Sequence, residues 1–209
     1  MDSYGAHMFT ANVQTEQDKI GSADRHMAIY EKRLRDPLDA DARAFIESRD
    51  SFYMASVSET GWPYVQHRGG PVGFLKVLGP EQIGFADYPG NKQMISKGNL
   101  VGDARVSLFL MDYPRKTRLK LIGHARMVDA GDAPDLVEAL STEGAAEAQR
   151  VCVIDLVAMD WNCPKYITPR LTEAEIEASL GPRIAAMGDH IAKLEARLDA
   201  LDPEWRTKE

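Results

Sequence analysis

The stretch that decides this fold reads Gln66-His67-Arg68-Gly69-Gly70-Pro71-Val72-Gly73-Phe74-Leu75, and further along the chain it is followed by Asp87-Tyr88-Pro89-Gly90-Asn91-Lys92-Gln93. The first segment is a predicted strand that ends in glycines, and the second is a turn that opens a short helix. Glycine lets the backbone approach an anion closely, and a helix N-terminus presents unpaired N–H groups. Because Arg68 and Lys92 add positive charge, the two segments predict a site for a phosphate-bearing ligand.

Composition limits the class of protein. The 209 residues, 44% of them hydrophobic, suit one domain with an appended element. The net charge of −7 argues against a nucleic-acid partner. The sequence has neither a signal-peptide pattern nor an apolar run of roughly 20 residues for a membrane span, so a cytoplasmic protein without a membrane partner is expected. Cys152 and Cys163 form no disulfide framework, and without zinc-like spacing no metal site is expected.

The periodicity predicts three regions: an N-terminal arm and helix over 1–39, a β-rich domain over 40–168, and C-terminal helices over 169–209. Residues up to Gly21 are expected to be irregular. Helices are predicted over 22–35, over 40–49 with Asp39 as N-cap, over 91–99 and over 133–141. Between them the period is two. About six strands at hairpin spacing predict a small antiparallel barrel with flanking helices, mainly β in an α+β class.

The C-terminal region has helical patterning of its own. Thr172 and Glu175 have the spacing of a capping box, and that helix is expected to end at Gly181 so that Pro182 starts the next. The apolar residues that follow repeat in steps of three and four over about two and a half heptads; we call them the heptad seam, and they are Ile184, Met187, Ile191, Leu194, Leu198 and Leu201. The seam either pairs with its copy in a dimer, which is favoured, or lies on the barrel.

Polar side chains on the predicted strands suggest how a ligand is held. Gln66 and Arg68 share one strand face, opposite His67, and burying them requires a polar partner; they line either a ligand site or an exposed hairpin face. Asn91 is the expected N-cap of the helix over 91–99, with the N–H groups of Lys92 and Gln93 in the first turn and Ser96 near that end.

Two further groups of residues suggest what surrounds a ring. Arg118 and Lys120 share a strand face and form either a solvent-facing cationic stripe or the cations beside a flavin, whose N1–C2=O edge becomes negative on reduction. Trp161, Asn162 and Lys165 gather at the end of the last strand and suit the rim of a pocket. No nucleophile, base and orienting group stand together, so no catalytic residue is assigned.

These motifs resemble those of the pyridoxamine 5′-phosphate oxidase-related flavoproteins, especially a predicted flavin-nucleotide-binding branch with an Asn-Cys-Pro-Lys-type motif, here at 162–165. The segments that carry the resemblance are 52–71, 84–93, 105–110 and 118–126, within 40–168. The resemblance implies a split β-barrel homodimer that binds FMN at its interface. The family's FMN-contacting positions fall here on Gln66, His67, Arg68, Gly69, Gly70, Pro71, Phe85, Ala86, Lys92, Gln93, Arg118 and Trp161.

The departures from the family pattern bear on function. The late Arg-x-His pattern that binds the oxidase's substrate phosphate is not recognisable, so oxidation of pyridoxamine phosphate is not expected. The sequence therefore predicts an FMN-binding oxidoreductase with an unidentified substrate and an electron donor such as NADH or NADPH. The alternatives are a non-catalytic flavin carrier, a protein that binds deazaflavin or haem, and a heptad-mediated scaffold with an empty barrel.

Overall fold

Seven antiparallel strands form one open sheet in the computed structural model, which describes residues 1–31, 38–161 and 164–207. The sheet order is β2-β1-β5-β6-β7-β4-β3, so β2 and β3 are its two edges. The strands are β1 Ser51–Val57, β2 Pro63–Gly69, β3 Leu75–Gly79, β4 Gln82–Asp87, β5 Arg105–Asp112, β6 Thr117–Asp129 and β7 Arg150–Trp161. The structure confirms a mainly-β fold of the split-barrel type with flanking helices, with seven strands where six were expected.

The core of the sheet follows from the period-two pattern. Phe52 and Met54 of β1 are buried, whereas Tyr53 between them is exposed, as alternation of side chains across a strand requires. Phe52 stacks on Phe74 with ring centroids 5.7 Å apart and meets Phe85 edge-on at 5.4 Å. Burial of these aromatic rings joins the β1 side of the sheet to the β3–β4 hairpin.

One glycine marks a close approach of two strands. The pairing of β6 with β7 shifts register between Ile122 and Gly123. A Cβ at Gly123 would lie 2.4 Å from the carbonyl oxygen of Asp155, closer than any real contact. Only glycine therefore fits at this bulge, which bends the long β6–β7 ladder.

The helices of the first unit, Met1–Ile167, are α1 Tyr4–Met8, α2 Ala11–Lys19, α3 Ala23–Glu31, α4 Ala40–Glu47, α5 Ile95–Gly102 and α6 Pro134–Leu140. Asp39 caps α4 as expected, since its carboxylate accepts a hydrogen bond from Ala42 N at 2.7 Å. The expectation of an irregular arm before Gly21 was wrong. The chain start is instead anchored, because Asp2 N donates to Val157 O at 2.6 Å and Met1 is buried. The expected end of the α3 helix near Arg35 lies outside the described residues.

The second unit, Thr168–Glu209, contains one long helix, α7 Glu173–Leu201. The capping box at Thr172 and Glu175 is confirmed, with both reciprocal hydrogen bonds present. The expected break at Gly181 was wrong, because α7 continues through Pro182. Proline removes one backbone donor from the helical ladder, but its fixed φ is itself helical, so the helix can continue past it.

Candidate functional site

A pocket of about 230 Å³ lies where β2, the end of β4 and the start of α5 meet. Strand β2 contributes Tyr64, Gln66 and Arg68. These three side chains are partly buried while their neighbours are exposed, so the predicted alternation of β2 is confirmed. The remaining lining comes from the ends of strands and the loop before α5: Asp87, Tyr88, Gly90, Asn91, Lys92, Gln93, Met94, Ile95, Ser96, Lys97, Met127, Gln149 and Arg150.

Two arginines share one aspartate in the wall of the pocket. Arg68 Nη1 donates to Asp87 Oδ1 at 2.7 Å, and Arg150 donates to Asp87 Oδ2 through Nε at 2.8 Å and Nη2 at 2.7 Å. All three side chains are largely buried, with 10% to 13% of their surface exposed. One carboxylate cannot neutralise two guanidinium groups, so the cluster is a buried net cation.

Two polar atoms in this wall have unused hydrogen-bonding capacity. Arg68 Nε and the Tyr88 hydroxyl are buried and have no hydrogen-bond partner among the described residues. Buried polar atoms are nearly always paired, and leaving one unpaired costs about 1–3 kcal/mol. Since both residues line the pocket, a ligand with oxygen acceptors is the partner that would satisfy them.

The loop before α5 holds its backbone in an unusual conformation. Lys92 and Met94 have φ values of 58° and 56°, in the left-handed region that non-glycine residues adopt at a cost of roughly 1–2 kcal/mol. Such strain clusters at ligand-binding segments. Met94 is the N-cap of α5 and gives it no side-chain cap within the described chain. The first-turn N–H groups of α5 are therefore available at the pocket.

The predicted N-cap role of Asn91 was wrong, because α5 begins four residues later, at Ile95. Asn91 Oδ1 instead accepts a hydrogen bond from Gln93 N at 3.3 Å, which is the local turn that asparagine side chains favour. Lys92 and Gln93 consequently reach the pocket from the loop and not from the first helical turn.

Polar contacts fix the floor of the pocket. Ser96 Oγ donates to Gln66 Oε1 at 2.7 Å, which ties α5 to β2. Lys97 Nζ donates to Asp129 Oδ1 at 2.7 Å, and this hydrogen bond lowers the pKa of the Asp129 carboxyl. Counting Arg68, Arg150, Lys92 and Lys97 against Asp87 and Asp129, four cations face two carboxylates. The pocket is thus locally basic in an acidic protein.

Several predicted site residues in and directly after β2, and in β4, lie outside this pocket. The N–H group of Gly70 is donated to Asp50 O at 2.9 Å, and a Cβ there would lie 2.8 Å from the Phe74 ring, so packing explains this glycine. Gly69 is not among the lining residues, and His67 packs edge-on against Tyr53 at 5.6 Å. Phe85 and Ala86 are buried, each in a hydrophobic cluster.

The predicted residues on β6 and after β7 are also outside this pocket. Arg118 lies over the Phe109 ring at 5.8 Å, and its Nε is buried without a partner among the described residues. Trp161 packs edge-on against Phe45 at 5.0 Å, and Lys165 lies 5.2 Å from the Tyr166 ring. Asn162 lies outside the described residues.

Sequence reasoning did not identify Asp87, Tyr88 and Arg150 as site residues. Asp87 and Arg150 are directly paired across β4 and β7, strands that are distant in sequence. Opposite charges at the end of one strand and the start of another were the available signal, but the strand pairing that joins them is long-range and cannot be derived from local periodicity.

The first unit has a second cavity, of about 540 Å³, lined by residues of α1, β1, β2, β5, β6 and β7. It contains none of the predicted site residues and, within the described residues, none of the unpartnered polar atoms. Across the described ranges, no group of His, Cys, Asp or Glu side chains is arranged to hold a metal ion. No helix in the described part of the chain has both the length and the apolar character needed to cross a membrane.

The sequence was compared with families and proteins already described. The chain belongs to the pyridoxamine 5′-phosphate oxidase family, whose sequence model matches residues 38–159. Among proteins with curated descriptions, none matches this chain.

Solved structures with a similar fold have low sequence identity to this chain. HupZ of Group A Streptococcus is 9% identical over 64% of this chain and 98% of its own, with a TM-score of 0.47. A putative pyridoxamine 5′-phosphate oxidase from Lactobacillus delbrueckii is 20% identical over 59% and 93%, with a TM-score of 0.46. An FMN-binding protein from Syntrophomonas wolfei is 15% identical over 67% and 93%, with a TM-score of 0.45. Identities this low indicate neither ligand nor activity.

Proposed function

We propose that this protein binds FMN and acts as a cytoplasmic oxidoreductase on a substrate other than pyridoxamine phosphate. The observation that carries the proposal is the unpartnered, buried Nε of Arg68 in a basic pocket. Membership of the pyridoxamine 5′-phosphate oxidase family supports it independently. A phosphate ester offers oxygen acceptors and negative charge together, which matches the donors and cations of the pocket.

Different residues of the pocket would bind different parts of FMN. Arg68, Arg150 and Lys92 would balance the charge of the phosphate, and the strained loop and the first turn of α5 would donate N–H groups to it. The Tyr88 hydroxyl would donate a hydrogen bond to a hydroxyl of the ribityl chain or accept one from it. When bound, FMN supplies hydride- and electron-transfer chemistry, and the protein contributes orientation and electrostatics.

The size of the pocket favours a shared site in a homodimer. Its volume of about 230 Å³ is below the roughly 300–1,000 Å³ of small-molecule sites, so one chain surrounds only part of a ligand as large as FMN. We therefore propose that a second copy completes the ring site. Arg118 is the residue proposed to act there, because its Nε is also buried without a partner among the described residues.

The first test is the identity and affinity of the ligand. Purified protein should release FMN, identified by mass spectrometry, and the ligand-free protein should regain visible flavin absorbance when titrated with FMN. Release of a deazaflavin or haem, or no uptake of FMN, would contradict the proposal.

A matched pair of lysines tests the position of the phosphate. Lys92 and Lys116 are both exposed and have φ values of 58° and 53°, but only Lys92 lines the pocket. Lys92→Ala should weaken FMN binding by about tenfold, the effect of one lost charge-assisted contact. Lys116→Ala should leave it unchanged. Equal effects of the two substitutions would place the phosphate elsewhere.

Turnover separates an enzyme from a flavin carrier. The FMN-loaded protein should be reduced by NADH or NADPH and reoxidised by an added acceptor, with loss of the flavin's visible absorbance and then its recovery. A protein that binds FMN tightly but is reduced by neither nucleotide faster than free FMN would be a carrier.

A further inference from the structure

Helix α7 leaves an apolar stripe exposed along its length. Each of its 29 residues is at least partly exposed to solvent, and the six residues of the heptad seam are between 42% and 76% exposed. A helix of this length exceeds the roughly 12–15 residues below which isolated helices are marginal in water. Aligned apolar side chains of this kind, rimmed by polar residues, mark an interaction surface.

We propose that α7 pairs with α7 of a second copy of this chain as a parallel two-stranded coiled coil. The spacing of the seam assigns Ile184, Ile191 and Leu198 to the a positions and Met187, Leu194 and Leu201 to the d positions. β-Branched residues at a with leucine at d favour two strands in parallel. Two of the three a residues are isoleucine and two of the three d residues are leucine, so the seam has that preference.

The charged residues beside the seam favour a parallel arrangement of two α7 helices. Arg183, His190 and Arg197 occupy the g positions and Glu195 occupies an e position of α7, while Asp202, the C-cap directly after the helix, falls at the next e position. In a parallel pair, each g residue faces the e residue five positions later on the other helix. That register sets Arg197 against Asp202, and His190, which can donate a hydrogen bond, against Glu195. An antiparallel pair sets g against g and brings the basic residues together.

This coil is compatible with the symmetry of a closed homodimer. A parallel coiled coil has a two-fold axis along its length, and closed dimers are built on one two-fold axis. The inference does not depend on FMN binding, because the residues of the coil are separate from those of the pocket.

Disulfide trapping in the full-length chain tests the pairing. In a Cys163→Ser background the remaining native thiol is Cys152, whose burial raises its pKa to about 12 and makes it unreactive. Met187→Cys lies on the seam, and Ala185→Cys, two residues away, lies outside it. Oxidation should give a covalent dimer from Met187→Cys at least tenfold faster than from Ala185→Cys. Equal rates, as expected if the seam covers its own chain, would overturn the proposal.

Two further variants test the direction of the helices. When Met187→Cys and Leu201→Cys chains are co-expressed, mass spectrometry should find 187–187 and 201–201 disulfides; a 187–201 disulfide between copies would indicate an antiparallel pair and overturn the proposal. Arg197→Glu should slow trapping through Met187→Cys, and the double change Arg197→Glu with Asp202→Lys should restore it. A double variant that traps more slowly than the single one would contradict the parallel register.

Discussion

Two buried aspartates in this molecule are each held by two arginines, yet the two clusters differ in how completely they are satisfied. Asp112 accepts hydrogen bonds from Arg115 N at 3.0 Å, Arg115 Nη1 at 2.9 Å and Arg49 Nη2 at 2.9 Å. Every nitrogen of the Arg49 guanidinium has an acceptor. Asp87 likewise holds Arg68 and Arg150, but Arg68 Nε has no partner in the described part of the chain.

The difference separates a structural cluster from a binding cluster. Arg49 joins α4 to the end of β5, because its guanidinium donates to Phe45 O, Met111 O and Asp112 Oδ2, and each of its three nitrogens already has an acceptor. Arg68 lies in the wall of a cavity with one donor unused. Burying an ion pair already costs desolvation free energy, and an unpaired buried donor adds to that cost. A ligand that supplies the acceptor would remove the second cost.

The largest expected effect is on the structural cluster. Asp112→Ala should reduce the free energy of unfolding by about 3–5 kcal/mol, because it leaves a buried guanidinium without its carboxylate. Added FMN should stabilise the wild type and the variant by the same amount, because Asp112 does not line the pocket, so the difference between them should remain. Chemical denaturation with and without FMN measures both quantities. A loss no larger than that of Asp103→Ala, which removes an ion pair with the exposed Arg105, would contradict the assignment.

The pH dependence of that loss gives a second test. Burial raises the pKa of Asp112, but hydrogen bonds from Arg115 and the charge of Arg49 outweigh burial and leave the pKa below its usual value. A lowered folded-state pKa stabilises the fold above the unfolded pKa of about 3.9 and ceases to do so as pH falls through the folded value. The stability gap between wild type and Asp112→Ala should be constant near neutral pH and shrink below about pH 4. A gap that does not change with pH would contradict a charged Asp112.

A substitution in the cluster of Arg68, Asp87 and Arg150 should change the affinity for FMN. Arg150→Ala leaves Arg68 paired with Asp87 and removes one cation from the pocket, so FMN should bind about tenfold more weakly with a small change in stability. Isothermal titration measures the affinity. An unchanged dissociation constant would contradict a contribution of Arg150 to phosphate binding.

The smallest expected change in FMN affinity is that caused by replacing Lys97, whose side chain is 38% exposed and paired with Asp129. Lys97→Met removes a cation that lines the pocket but is largely compensated, so FMN affinity should fall by less than about fivefold. A loss larger than that caused by Arg150→Ala would reverse the ranking of the two cations.

Local patterns predicted the strands and the face of β2 that lines the pocket, because alternation and turn residues are local properties. Asn91 was misjudged as an N-cap because asparagine serves equally well in a turn of its own. Arg150 could not be found, since its place depends on the pairing of β4 with β7. The prediction of a helix break at Gly181 was wrong. The low helix propensities of Gly181 and Pro182 are local preferences, and the helical residues on both sides outweigh them.

The most direct test compares FMN with riboflavin, which lacks the phosphate, in the wild type and in Arg68→Ala. Arg68 is held by Asp87 in the wall of the pocket, so its proposed contact is with the phosphate. Arg68→Ala should weaken FMN binding by about ten- to a hundredfold, the effect of a lost charge-assisted contact, and leave riboflavin binding almost unchanged. Equal losses for the two ligands, or none for FMN, would contradict the account.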